Sequence, residues 1–214
     1  MNDFRFQVLG FPVTVQPGFA IVVGIYMLFG LQAQRPLWTS LSFGAIVFAS
    51  ILVHELGHAL VARRFGLRVG GIFIHGFGGH VTHSRGPASR QLLVSLAGPG
   101  AGLLVGLPLV AVAALADPGP TAWVLLQQAI FVNVAWSLFN LLPMLPLDGG
   151  TAFGSLLEVL VGPARGWNVA TATGVACGAA IALISLSWGE TFLMFLGGYC
   201  AWHSLQVRNA LRAA

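Results

Sequence analysis

Charge is scarce in this chain of 214 residues: only 7% are Asp, Glu, Lys or Arg, lysine is absent, and all ten basic residues are arginine. A soluble domain carries about 25% charged residues. With 57% hydrophobic residues and a mean hydropathy of +0.85, the shortage excludes an ordinary water-soluble fold and implies an integral membrane protein. The formal net charge of +4 is better read as membrane topology than as a nucleic-acid surface, so no nucleic-acid partner is expected. Cysteine is nearly absent too. Cys177 and Cys200 both lie in apolar runs, where small buried side chains are expected rather than a disulfide. The opening MNDFRFQVLGFPVTVQP lacks a basic region leading into an apolar core and a small-residue cleavage site. It is expected to stay on the mature chain. There is no internal repeat and no low-complexity segment.

What is present in quantity is apolar length. Six windows of about 20 mostly apolar residues are long enough to cross a bilayer as helices, near 17–34, 37–62, 88–115, 121–142, 167–188 and 190–206. They are separated by QRP, by RRFG to RGPAS, by DPGP, by LPLDGG to GPARG, and by SWGE. Residues 4–15 suit one short surface strand. Residues 65–86 are too rich in glycine and too polar to span, and suit a hairpin with strands near 69–75 and 79–83 around Gly76, Gly78 and Gly79. The fold class expected is therefore an all-α polytopic membrane protein of about six transmembrane helices, with a short N-terminal strand and a Gly-rich hairpin, forming a single domain over 1–214. With both termini in the cytosol, Arg5, Arg63, Arg64, Arg68, Arg85, Arg90, Arg165, Arg208 and Arg212 fall on the cytosolic side, and only Arg35 on the other. The positive-inside rule selects that orientation.

One apolar span carries three polar side chains in HELGH, residues 54–58. On a helix, positions i and i+4 share a face, so His54 and His58 can direct two imidazoles at one point with Glu55 beside them. Ionisable groups inside a membrane are costly and mark function. Two neutral imidazoles and a carboxylate suit zinc, with a fourth position left for water. The third ligand must come from elsewhere. Asp3, Asp117, Glu158 and Glu190 lie at element ends or in loops, whereas Asp148, in NLLPMLPLDGG, follows a span that ends on the same side as His58. Asp148 is the best candidate, and a plain Asp-Gly turn is its alternative.

VHELGHAL followed some 90 residues later by NLLPMLPLDGG resembles the site-2 protease family of intramembrane zinc metalloproteases, peptidase family M50. SLAGPG at 95–100 looks like that family's AGP segment, and GFGG at 76–79 falls where the family has a Gly-rich hairpin. The resemblance covers nearly the whole chain and suggests the minimal form, without a PDZ or CBS domain. It implies that His54, His58 and Asp148 bind one zinc, that Glu55 is the catalytic base, and that Asn140 is the asparagine of the family's NxxPxxxxDG pattern. Buried in a span, Asn140 would be placed to donate a hydrogen bond to the scissile carbonyl; helix-to-helix glue is its alternative. The substrate implied is a transmembrane segment of another protein, cut near its cytosolic end in regulated intramembrane proteolysis of a membrane-tethered regulator or anti-sigma factor. The location implied is a bacterial inner or plasma membrane.

A reading from another class is a non-proteolytic metal-binding membrane protein, either a transporter or an inactive scaffold. Against transport, the polar groups gather at one end of the spans. Gly98, Gly102 and Gly106 recur every four residues and permit close helix contact, while Pro99 removes a backbone donor. His80 and His83 are read as solvated hairpin histidines, and His75 and His203 as interfacial or hydrogen-bonded. Trp38, Trp123, Trp188 and Trp202 sit near span ends, as an aromatic belt would.

Overall fold

The computed structural model describes residues 3–76 and 78–213, which divide into two compact units. The first holds residues up to Ser84 together with Ala97–Leu138; the second holds Arg85–Leu96 and the chain from Phe139 onward.

The first unit opens on β1 (Phe4–Val8) and β2 (Phe11–Val15), paired antiparallel. The sequence suggests one strand over 4–15; the structure breaks it at Leu9 and Gly10, whose φ values of 51° and 82° are both positive. Two consecutive positive φ values make the tight two-residue turn that matches strand twist. After α1 (Pro17–Gln32) and α2 (Leu37–Arg64), the chain returns as β3 (Val69–His75), which pairs parallel with β2, and β4 (Gly78–His83), antiparallel to β3. Parallel strands need a crossover between them, and here the two helices supply it. The result is a four-stranded sheet in the order β1-β2-β3-β4, with β4 at an edge.

Alternation sets the inner face of this sheet. Phe11 and Val13 on β2 and Ile72 and Ile74 on β3 are buried together with Ala59 of α2. Full burial of such side chains contributes roughly 1.5–3 kcal/mol each where the alternative is water. The end of α2 is fixed to the sheet by Arg63, whose Nη1 donates to the Leu9 carbonyl at 2.9 Å and whose guanidinium stands 4.3 Å from the centre of the Phe11 ring. Gly66, with φ of 73°, then closes the helix, and the Leu67 amide reaches back to the Ala62 carbonyl at 3.0 Å. This is the glycine-terminated cap expected where a helix stops abruptly.

The remaining helices of the first unit are α3 (Ala88–Leu115), of which the part from Ala97 belongs here, α4 (Pro120–Ile130), a π-helical turn (Phe131–Ala135) and the start of α5 (Trp136–Asn140). Close approach of α3 to the segment that follows α4 depends on glycine. A Cβ at Gly106 would stand 2.5 Å from Val134 Cγ2, and one at Gly102 would overlap Ser137 Oγ.

The second unit contains α6 (Asp148–Val161), α7 (Pro163–Ser187) and α8 (Thr191–Ala213). The sequence reading assigns 143–166 to a connection, whereas most of it is α6. Its glycines, which suggest a loop, lie against neighbouring chain: a Cβ at Gly154 would stand 2.6 Å from the Trp167 ring. Trp167 in turn donates its Nε1 proton to Glu158 at 2.7 Å. Gly178 and Gly197 bring α7 and α8 to backbone contact, the small-residue packing that substitutes for hydrophobic drive in lipid.

Among the described residues, four helical stretches are long and apolar enough to cross a membrane: Leu37–Arg64, Ala88–Leu115, Pro120–Asn140 and Pro163–Ser187. The first expected span is a 16-residue apolar helix, and the sixth is the 23-residue α8, which is not among the four. Leu104 is 78% exposed, Leu183 68% and Phe195 67%. Apolar surface on this scale belongs against lipid.

Candidate metal centre

HELGH lies inside α2, where the 3.6-residue period places His54 and His58 one turn apart. Both histidines and Glu55 are buried. The two Nε2 atoms stand 3.2 Å apart and the rings meet edge to face, with centroids 4.9 Å apart. Two nitrogen ligands at 2.0–2.1 Å from a tetrahedral zinc would be separated by about 3.3 Å. The pair therefore fits that metal, and its donors suit it chemically.

Space in front of the imidazoles is kept by Gly98 of α3. A Cβ there would stand 2.7 Å from His54 Nε2 and would overlap the His58 ring. Gly57, on the same helix as the histidines, lets the α3 backbone come close: a Cβ at 57 would lie 2.9 Å from that of Ala101. One turn before His54, Ser50 Oγ accepts a 2.9 Å hydrogen bond from Asn133 Nδ2 in the π-helical turn. The edge strand β4 runs past the glutamate, so that a Cβ at Gly79 would be 2.7 Å from Glu55 Cγ and 2.8 Å from its Oε1. Spacing alone identifies the histidines and the glutamate, but it does not single out Gly98, Gly79 or Asn133. From sequence Gly98 is read as one member of a four-residue glycine repeat and as part of SLAGPG, and neither reading sets it before the histidines.

Asp148 and Asn140 belong to the second unit. Asp148 is half-buried and opens α6, where the helix dipole favours a carboxylate. Asn140 is half-buried and closes α5. Between them the chain turns through Leu141–Leu147, held by backbone hydrogen bonds from Leu142 to Phe139 and from Leu147 to Met144. Gly149 packs on the backbone of Leu141 and Leu142, and Gly150 on that of Met144. His54, His58 and Asp148 each offer a ligand atom of a kind that zinc accepts.

The other histidines stand apart. None of His75, His80, His83 or His203 belongs to a set of three possible metal ligands among the described residues. His80 lies flat on Phe73, with centroids 5.1 Å apart, and 5.7 Å from His75. Desolvation first, and then the charge of His75, lower its pKa below the ordinary histidine value. His83 Nδ1 stands 3.0 Å from the Ser84 carbonyl oxygen. Both cysteines are free; Cys200 is buried and Cys177 half-buried. Within the GFGG segment, Phe77 lies outside the described residues.

The backbone is similar to a solved site-2 protease from Methanocaldococcus jannaschii, with a TM-score of 0.72 over 97% of this chain and 95% of that one at 22% identity. The fold is thus that of a site-2 protease. Residues 20–176 match the family described as Peptidase M50B-like, and the chain belongs to it. Zinc metalloprotease MJ0392 of Methanocaldococcus jannaschii is 26% identical over 86% of this chain and 52% of its own length. Putative zinc metalloprotease sll0528 of Synechocystis is 33% identical over 75% and 46%. Putative zinc metalloprotease Rip3 of Mycobacterium tuberculosis is 30% identical over 90% and 55%. The chain spans about half the length of these curated relatives.

Proposed function

We propose that this chain is a zinc-dependent intramembrane endopeptidase in which His54, His58 and Asp148 hold one zinc. The observation that carries the reading is the pair of buried imidazoles, with Nε2 atoms 3.2 Å apart on an apolar 28-residue helix. The family and the names of its relatives point the same way. Asp148 is supported by its donor chemistry, by its helix N-terminus and by the LDG pattern. When bound, zinc supplies Lewis-acid polarisation of a carbonyl and acidification of water.

The chain's own residues do the rest. Glu55 takes a proton from the attacking water and delivers it to the departing amine, and burial suits that task because it keeps the carboxylate from being solvated by bulk water. Asn140 Nδ2 donates to the carbonyl oxygen as negative charge develops there. A helical substrate hides its amides in its own hydrogen bonds and must unwind before it is cut. The edge of β4, running beside Glu55, offers an extended partner for strand addition. The substrate in this reading is a transmembrane segment of a membrane-tethered regulator or anti-sigma factor, and residues 1–214 act as one protease domain with both termini in the cytosol.

Arg63 lies at the surface end of α2, and His58 and His54 precede it by five and nine residues. At about 1.5 Å rise per residue the metal would sit on the order of 10 Å beneath that surface. The cut then falls in the cytosol-proximal part of the substrate.

The test uses the full chain in liposomes with tagged transmembrane substrates and mass spectrometry of the products. Glu55→Gln should retain zinc and lose cleavage, and Asn140→Ala should lower kcat by roughly 10²-fold. A transporter or scaffold would keep its role without Glu55. Undiminished cleavage by Glu55→Gln would sink the proposal.

A further inference from the structure

The loop leading to Asp148 is short of backbone partners. Pro143 and Pro146 have no amide proton, and the amides of Leu142, Met144 and Leu147 are taken by the carbonyls of Phe139, Leu142 and Met144. The amide of Leu145, three residues before Asp148, is taken by a side chain. Ser204 Oγ on α8 accepts it at 3.2 Å and donates to the Leu145 carbonyl at 3.4 Å. Ser204 is fully buried, as is Met144 beside it, while Leu145 is nearly so.

The hydroxyl has a prepared place. Opposite it on α7 stands Gly174, where a Cβ would lie 2.5 Å from Ser204 Oγ and 3.3 Å from Met144 Cα. Any larger residue there would push the hydroxyl and the loop apart. From the other side Gly150 admits the Met144 carbonyl, at 2.6 Å from where its own Cβ would be. The loop is thereby held between α6 on one side and Ser204 and Gly174 on the other. A backbone amide and carbonyl buried without partners would each cost more than the hydrogen bond is worth, so the hydroxyl determines where the Leu145 peptide can sit. The stretch from Leu145 to Asp148 includes one proline and enters a helix. A displacement of Leu145 is therefore passed to the carboxylate.

We propose that Ser204 is a positioning residue for the ligand Asp148, acting through both backbone groups of Leu145. This rests on the reading of Asp148 as a zinc ligand. It makes α8, which contributes no residue to the proposed ligand set, a determinant of metal affinity.

The test is a double-mutant cycle on the purified full chain in detergent, with zinc affinity read by chelator competition and the Leu145 amide followed by hydrogen exchange. Ser204→Ala should weaken zinc binding roughly ten-fold, the low end of what partners outside the ligand set contribute, and should speed exchange at Leu145. In the Asp148→Ala background the same change should leave zinc affinity unaltered, because the ligand it positions is gone. Equal losses in both backgrounds would reduce Ser204 to general packing and overturn the inference, as would no loss in either. If Asp148→Ala does not itself weaken zinc binding, the ligand reading fails first, and with it the inference. Should Ser204→Ala not accumulate, Ser204→Cys keeps a weak donor and acceptor and should bind zinc more tightly than Gly174→Ala, which displaces the hydroxyl. The reverse order would overturn the inference.

Discussion

Gly98 and Gly100 are two residues apart on one helix, yet they differ in what a methyl group would meet. At Gly100 nothing lies within 4 Å, whereas at Gly98 the methyl would enter the space before His54 and His58. Alanine is the better helix former by about 1 kcal/mol, so helix propensity favours both substitutions. Gly98→Ala should therefore cost zinc without costing helix, reducing the metal-to-protein ratio measured by elemental analysis, while Gly100→Ala keeps wild-type content. Normal zinc in Gly98→Ala would show that the glycine does not guard the imidazoles. The histidines were legible because helix period alone places them on one face. What faces them was not, since a glycine that meets a neighbouring helix and a glycine that clears a ligand share the same four-residue spacing.

Local elements follow their local signals. The β3–β4 hairpin was legible from its glycines, with strand ends within a residue of expectation. The β1–β2 turn was not, because Leu9 is an unusual residue at positive φ, and the parallel pairing of Val13 with Ile72 joins segments far apart in sequence. Helix α6 was obscured by Gly149, Gly150 and Gly154, whose role is close packing. The hairpin offers a discriminating pair of substitutions. Gly78 has φ of 134° and open space around it, whereas Gly79 has no such backbone demand but faces Glu55. Gly78→Ala should act through backbone strain of order 1–3 kcal/mol, read as lower thermal stability. Gly79→Ala should displace the Glu55 side chain, so that cleavage falls at least ten-fold while zinc is retained. If Gly79→Ala cleaves as the wild type does, β4 does not constrain Glu55, the proposed base.

Across the whole chain the question is which face of the membrane α3 starts from. Its 28 residues would extend about 42 Å at 1.5 Å per residue, more than the roughly 30 Å hydrocarbon core, which is enough for a span to set its two ends at opposite surfaces. The segments before it carry Arg63, Arg64, Arg68 and Arg85, and its first turn carries Arg90, whereas the stretch after it, ADPGP, carries no basic residue and one aspartate. The arginine bias predicts that the start is cytosolic. Asp148 would then enter from the same face as HELGH, since one further span, Pro120–Asn140, returns the chain there. Ser89 and Ala116 are exposed at the two ends and accept a small side chain. With Cys177 and Cys200 replaced by alanine, Ala116→Cys should react with a membrane-impermeant thiol reagent on intact cells, and Ser89→Cys should react only after the membrane is opened. The opposite pattern would put the proposed zinc-binding end of α2 at the outer face, and a cut there would release its product away from the cytosol.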